Sequence, residues 1–195
     1  MTIKTSSSKL HWNYFLALER DMDAVSRFVE FESANFKTYS IELAHMLFAA
    51  ASEADVVAKL VCEQVDPKAR RYNIEDYKSL LLPAIPTLPT TKVFVPRYGL
   101  TLEPWSNWAG GTHPDWWDGY NKVKHHRSSH FDQATLENAL NAMAGLLVIT
   151  YEYYACDLSP PGQPLHVKAV TAQLEPTTAL FRFADDWYHG YELRE

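Results

Sequence analysis

The residues of this chain that are best suited to chemistry are concentrated between Tyr120 and Phe131. This segment holds three Lys or Arg and three His, with no Asp or Glu: Lys122, Lys124, His125, His126, Arg127 and His130. The whole chain carries a net charge of −6, so the segment reverses the sign of charge locally. The planar guanidinium of Arg127 can form paired hydrogen bonds to phosphate oxygens. The segment therefore predicts a phosphate-binding surface, and the alternative is an ordinary solvated helix face.

Three aromatic residues, Trp116, Trp117 and Tyr120, come just before or at the start of this segment. In proteins that bind single strands, aromatic rings stack on bases, and each stacked base contributes about 1–3 kcal/mol. Trp117 and Tyr120 are thus candidate substrate-binding residues, together with Lys122 and Lys124. The alternative is that the rings pack in the core or in an interface, because aromatic side chains mainly serve packing.

A helix over this segment determines which side chains can act together. At about 100° per residue, Asn121 and Lys124 share one face, and His125 lies beside Asn121. Arg127 lies nearly opposite His125 if the helix continues. The two side chains converge only if the helix ends there, or if a second subunit supplies one of them. We therefore expect a homodimer that forms through this short helix and its neighbours.

The order of the predicted elements carries a resemblance. Two long helices are followed by a short helix with the pattern Tyr120-Asn121-x-x-Lys124-His125-x-Arg127, and then by a helix rich in small residues (Ala139, Ala142, Ala144 and Gly145). Over roughly residues 10–155, this arrangement resembles the HEPN superfamily of small α-helical domains. The usual signature of that superfamily is an Arg followed a few residues later by a His, often with a polar residue directly after the Arg. Asn121 and His125 match the later part, while Tyr120 stands in place of the Arg and Arg127 follows the His.

The resemblance implies a metal-independent ribonuclease without a cofactor, acting in bacterial defence or a toxin–antitoxin system. In that reaction a ribose 2′-hydroxyl attacks the adjacent phosphate and leaves a 2′,3′-cyclic phosphate. His125 would move protons, because an imidazole changes charge near neutral pH. Arg127 or Lys124 would stabilise charge on the phosphate oxygens, and Asn121 would orient the His or the phosphate. The alternative is a catalytically inactive HEPN-like module that docks onto a protein partner through its aromatic insertion.

Two other groups of polar residues have a structural and a functional interpretation. Asp55 falls on the apolar stripe of the second helix with Lys59 one turn later, which predicts a structural ion pair; the alternative is a contact that orients His125 or Arg127. His126 and His130 are spaced as two imidazoles on one metal would be, with His113 and Asp115 as further candidates. We expect exposed histidines there rather than a metal site.

Composition limits the remaining classes of protein. A chain of 195 residues with 47% hydrophobic residues can bury one sizeable core, and its acidic balance argues against binding nucleic acid through overall charge. Cys62 and Cys156 are far apart and fit a reducing compartment, so we expect a cytoplasmic protein. No phosphate-binding glycine loop, nucleophile elbow, zinc-protease helix or CxxC motif occurs. No apolar run is long enough to span a membrane.

Periodicity predicts an all-α, HEPN-like helical bundle. We expect a polar tail over residues 1–9, a helical domain over 10–158 and a C-terminal extension over 159–195 that packs on the same domain. Helices are expected from Leu10, from Ser40 to Val65, from Asn73 to before Pro83, from Pro114 to His126, and from Gln133 to Tyr154. A Pro-rich insertion over about 83–112 should contain a hairpin that turns near residues 97–99. The segments 165–172 and 178–183 could each be a strand or a short helix.

Overall fold

The computed structural model describes residues 8–160 and 165–189 and is mainly helical. The helices are α1 (Leu10–Val25), α2 (Ile41–Val65), α3 (Ile74–Ala84), α4 (Asp115–His130), α5 (Leu136–Leu158), α6 (Val167–Thr171) and α7 (Asp186–His189). The predicted all-α fold class is confirmed. The polar tail predicted over residues 1–9 lies outside the described residues, except for Ser8 and Lys9.

Side-chain caps fix where three of the helices begin. The Ser40 hydroxyl accepts a hydrogen bond from the Leu43 amide at 3.1 Å, and the Asn73 side chain accepts from the amides of Glu75 and Asp76. Both caps lie where the sequence predicted a helix to begin, because Ser and Asn satisfy the free N–H groups of a first helical turn. At the third start, Thr135 caps α5, which therefore begins at Leu136 instead of Gln133. At the other end of α3, Pro83 lies inside the last turn instead of following it.

The core is organised around α5, which packs against α1, α2, α4 and α6. Its buried residues occur on every side of the helix, from Leu136 through Ala155. A helix that is apolar all round belongs at the centre of a bundle, whereas α1 buries mainly one stripe that includes Phe15 and Met22. The most extensive helix–helix contact is between α2 and α5, where the alanines of α2 allow the two helices to approach closely.

The insertion between α3 and α4 forms the predicted hairpin. Strand β1 (Val93–Val95) pairs antiparallel with β2 (Leu100–Leu102), with Val93 opposite Leu102. The turn ends at Gly99, whose φ of 62° is the left-handed conformation that glycine adopts without strain. The aromatic residues that follow are turned inward, since Trp105 is 1% and Trp108 2% exposed. The insertion thus contributes to the core, and these tryptophans offer no surface for a partner.

Residues 165–189, the described part of the C-terminal extension beyond residue 160, pack on the bundle, and Glu19 holds them there. This carboxylate of α1 is only 3% exposed and accepts hydrogen bonds from the amides of Ala179, Leu180 and Phe181 at 2.8–3.0 Å. Close by, Arg182 exchanges two backbone hydrogen bonds with Phe94 of β1. Of the two segments that periodicity left open, residues 167–171 are a helix, whereas residue 182 lies beside the hairpin in a strand-like bridge.

Within the described residues, no helix combines the length and the apolar composition needed to cross a bilayer.

Candidate functional site

The polar residues at the end of α4 form one exposed surface. We define the cationic surface as Lys124, His125, His126, Arg127 and His130; the first four are exposed and His130 is partly exposed. Beneath it lies a small apolar cluster of Ala44, Val123 and Ala134, against which Phe48 and Phe131 pack. This cluster attaches the end of α4 to the first turns of α2, and so it holds the cationic surface on a packed base.

The helical backbone of α4 is interrupted at His126, which has φ −139° and ψ 44°. The sequence predicted that this helix ends at His126, and the interruption falls at the same residue. Helical structure resumes after it and continues to His130. The interruption lies between His125 and Arg127. On an unbroken helix their side chains would point about 200° apart, and the change of direction at His126 removes that constraint. The sequence required such a break if both groups were to serve one subunit's site.

Aromatic rings position the two permanent cations of this surface. The guanidinium carbon of Arg127 lies 5.2 Å from the centre of the Phe48 ring, within the range of a cation–π contact. Lys124 donates a hydrogen bond of 3.0 Å from Nζ to the hydroxyl of Tyr120. This hydrogen bond raises the pKa of Lys124, so the ammonium stays protonated at neutral pH. Both cations are therefore oriented while they remain exposed.

Trp117 and Tyr120 are placed in the core. Each is 7% exposed, and their rings contact each other with centroids 5.9 Å apart. Trp116, at 2% exposure, lies beside Trp117. Little ring surface is left on which a base could stack, so these residues serve packing, the alternative that the sequence left open. The Tyr120 hydroxyl accepts the hydrogen bond from Lys124 and so connects the buried ring to the cationic surface.

Asn121 makes its hydrogen bond within α4, and Lys122 lies on another side of that helix. The Asn121 side chain donates from its nitrogen to the backbone carbonyl of Trp117 at 3.0 Å, and no hydrogen bond joins it to His125 among the described residues. Lys122 is about 200° around the helix from Lys124. It lines a groove on the other side of α4 and does not belong to the cationic surface.

Asp55 forms the predicted ion pair. Its Oδ2 atom accepts from Lys59 Nζ, and its Oδ1 atom accepts from the hydroxyl of Tyr77 at 2.7 Å. Burial, with a smaller contribution from the Asp55 carboxylate, raises the pKa of Tyr77. The hydrogen bonds of Asp55 thus go to α2 and α3 rather than to His125 or Arg127, and the structural interpretation holds for Asp55 and Lys59.

The histidine pair of α4 is exposed. The rings of His126 and His130 have centroids 6.0 Å apart, and His130 Nδ1 lies 2.9 Å from the hydroxyl of Ser129. The other two candidate metal ligands are His113 and Asp115. His113 contacts Glu75 and Asp118, while Asp115 lines the groove on α4. Across residues 8–160 and 165–189, no three His, Cys, Asp or Glu side chains are grouped closely enough to hold a metal ion.

Sequence reasoning missed Tyr39, which belongs next to the cationic surface. Its side chain is 53% exposed, and its ring makes an edge contact with Phe131 at 6.0 Å between centroids. The backbone of Tyr39 forms a bridge with Thr135, just after the end of α4. A single tyrosine in a loop before α2 carries no local signal, because only the packing of α2 against α4 brings it to this place.

The arrangement can bind an anion and offer an aromatic ring beside it. Lys124 and Arg127 supply fixed positive charge, His125 supplies an imidazole without a hydrogen-bond partner among the described residues, and Tyr39 supplies an exposed ring. All four side chains are exposed, so a ligand in solution can reach each of them.

No family model matches this chain, and the comparisons with curated proteins and with solved structures found no match either.

Proposed function

We propose that this protein binds RNA through the cationic surface and that His125 and Arg127 cleave it without a metal ion. The observation that carries the proposal is the break of α4 at His126, which lies between an exposed imidazole and an exposed guanidinium. The HEPN resemblance supplies the reaction and the setting in bacterial defence or a toxin–antitoxin system. A homodimer would place two such surfaces in one assembly.

The proposed roles follow from the chemistry of each side chain. Arg127 binds the phosphate through paired hydrogen bonds, and Lys124 adds a second positive charge. His125 accepts the proton of the 2′-hydroxyl as that oxygen attacks phosphorus, and the 5′-oxygen leaves with a proton from water or from a second imidazole. Tyr39 stacks on a base beside the cleaved bond. DNA binds but is not cut, because it has no 2′-hydroxyl.

A second candidate is a catalytically inactive HEPN-like module that binds a protein partner and does not cut RNA. The burial of Tyr120 favours it, because a buried tyrosine stands where the superfamily signature has an Arg. The sequence suggested that this module docks through its aromatic insertion, but Trp105 and Trp108 of the insertion are buried and cannot contact a partner. The partner surface of such a module would then be the cationic surface itself.

The test is incubation with a mixed RNA pool in EDTA, with binding and cleavage measured separately. The variants are His125→Ala and Arg127→Ala. Their matched controls are His166→Ala and Arg20→Ala, which change an exposed His and an exposed Arg far along the chain from α4. We expect cleavage to be lost in the first pair and kept in the second. No cleavage by the unaltered protein would favour the inactive module, and no RNA binding at all would reject the RNA-cleaving role.

A further inference from the structure

A groove of about 680 Å³ lies beside the face of α4 that carries Asp115, Asp118 and Lys122. Three parts of the chain form its walls. One wall is the end of β2 with the loop after it, another is the start of α4, and the third is the start of α5. The volume lies within the range of small-molecule sites, about 300–1,000 Å³. The groove is therefore large enough for a ligand rather than only for water.

The charge of this groove is opposite to that of the cationic surface. Its lining includes four carboxylates and one ammonium group, those of Glu103, Asp115, Asp118, Glu137 and Lys122. Asp115, Asp118 and Glu137 lie in the first turns of α4 and α5, where a negative charge stabilises the helix. Helix stability accounts for each acid separately, but only the packing of α5 against α4 brings them to one groove.

Two of these carboxylates have no partner of their own. Asp118 contacts His113 at 3.1 Å, and Glu103 lies 3.3 Å from Lys92. Asp115 and Glu137, in contrast, make no ion pair or side-chain hydrogen bond within residues 8–160 and 165–189. A carboxylate accepts hydrogen bonds and donates none. These two residues can therefore receive donors from a ligand.

The amide side chains add further acceptors. Asn138 donates from its nitrogen to the backbone carbonyl of Gln133 at 2.9 Å, and Asn141 donates to that of Glu137 at 3.0 Å. Each amide has used one donor within the protein, while its oxygen remains an acceptor. The groove thus offers more acceptors than donors, on walls that carry an excess of negative charge.

From these observations we propose that the groove binds an extended organic cation with two or more ammonium groups, such as a linear polyamine. The carboxylates stand on different walls, so a single small cation would meet only some of them. A flexible chain with separated ammonium groups can meet Asp115 on one wall and Glu137 on another. The positive charge of Lys122 repels the ammonium groups of such a ligand and lowers its affinity. Because the lining of the groove includes no residue of the cationic surface, this proposal does not depend on RNA binding.

The test is calorimetric titration of the full chain with spermidine at low salt, with butylamine and Mg²⁺ as separate arms. The groove variants are Asp115→Asn and Glu137→Gln, both at exposed positions. The matched control is Asp21→Asn, because Asp21 is exposed on α1 and its loss changes the net charge by the same amount. Circular dichroism checks that each variant is folded.

We expect spermidine to bind with one site and butylamine to bind far more weakly. Each groove variant should weaken spermidine binding about two- to fivefold, the range expected for one exposed ion pair. Lys122→Gln should strengthen it by a similar factor, and Asp21→Asn should leave it unchanged. Equal losses in Asp21→Asn and the groove variants, no spermidine binding, or groove binding of Mg²⁺ in preference to spermidine would each overturn the proposal.

Discussion

The indole of Trp116 lies directly on Gly145, where the helix α5 has no side chain. A Cβ atom built at residue 145 would stand 2.9 Å from Cζ2 and 3.2 Å from Cε2 of that ring. The ring cannot easily withdraw, because its Nε1 donates to the carbonyl of Pro104 at 2.7 Å and the side chain is 2% exposed. Gly145 is therefore closely packed, and its neighbour is the tryptophan that precedes the candidate site.

We expect Gly145→Ala to destabilise the fold. Alanine favours a helix over glycine by about 1 kcal/mol, but overpacking a core costs about 1–3 kcal/mol. Since Trp116 is anchored, the clash should outweigh the helix preference. Chemical denaturation measures the difference, with Gly110→Ala as control because a Cβ there meets nothing within 4 Å. Equal stability of Gly145→Ala and the unaltered protein would contradict the packing described.

We expect Glu19→Gln to loosen the C-terminal extension. The new amide nitrogen would face a backbone N–H in place of a carboxylate oxygen, and losing a charged acceptor of this kind costs about 1–3 kcal/mol. Hydrogen exchange should accelerate at the backbone amides of Ala179, Leu180 and Phe181, because these amides donate hydrogen bonds to the Glu19 carboxylate. Asp21→Asn on the same helix is the control, because its side chain is exposed. Unchanged exchange at those amides would show that Glu19 does not hold the segment.

We expect RNA binding to depend on salt through the cationic surface. Each phosphate contact with a single strand contributes about −0.7 to the slope of log affinity against log salt. Arg127→Ala should therefore make the slope less negative by about 0.7, and Lys124→Ala should do the same. Arg20→Ala should leave the slope as it is, because Arg20 is exposed on α1. A slope that none of these changes alters would place the RNA elsewhere.

We expect Tyr39→Ala to weaken RNA binding by about 1–3 kcal/mol, the contribution of one stacked base. Tyr14→Ala should have no effect, although Tyr14 is 41% exposed on α1. Trp117 and Tyr120 are unsuitable for this comparison, because their replacement would open a cavity in the core. Binding assays of the two tyrosine variants decide whether the exposed ring next to Phe131 takes over the stacking role that the sequence assigned to buried rings.

We expect the Cys62 thiol to resist modification in the folded protein. Burial raises the pKa of Cys62 from 9.0 to about 12, so at pH 8 the reactive thiolate is suppressed. In a Cys156→Ser variant, a disulfide reagent should label Cys62 only after unfolding. The unfolded chain loses the Cys62 proton near pH 9, whereas the folded chain keeps it until about pH 12. The free energy of unfolding is therefore unaffected by this thiol below pH 9 and falls as the pH rises from 9 towards 12. Rapid labelling of the native variant at pH 8 would show that Cys62 is accessible.

The sequence by itself determined the five longer helices, the caps of two of them and the hairpin. Ser40 and Asn73 are local signals, because the atoms that cap a helix lie within three residues of the amides they satisfy. The prolines and the β-branched run before Gly99 are equally local and place the turn between β1 and β2. The excess of positive charge between residues 120 and 131 was also evident, because it is a property of composition.

Only the tertiary structure decided what each side of α4 contacts. Lys122 and Lys124 look alike in the sequence, yet one lines an acidic groove and the other belongs to the cationic surface. Tyr120 is buried while Tyr39 is exposed, although both are single tyrosines near basic residues. Burial depends on contacts between distant segments, here α2 and α5 against α4, and such contacts leave no pattern within the short windows from which a helix or a turn can be predicted.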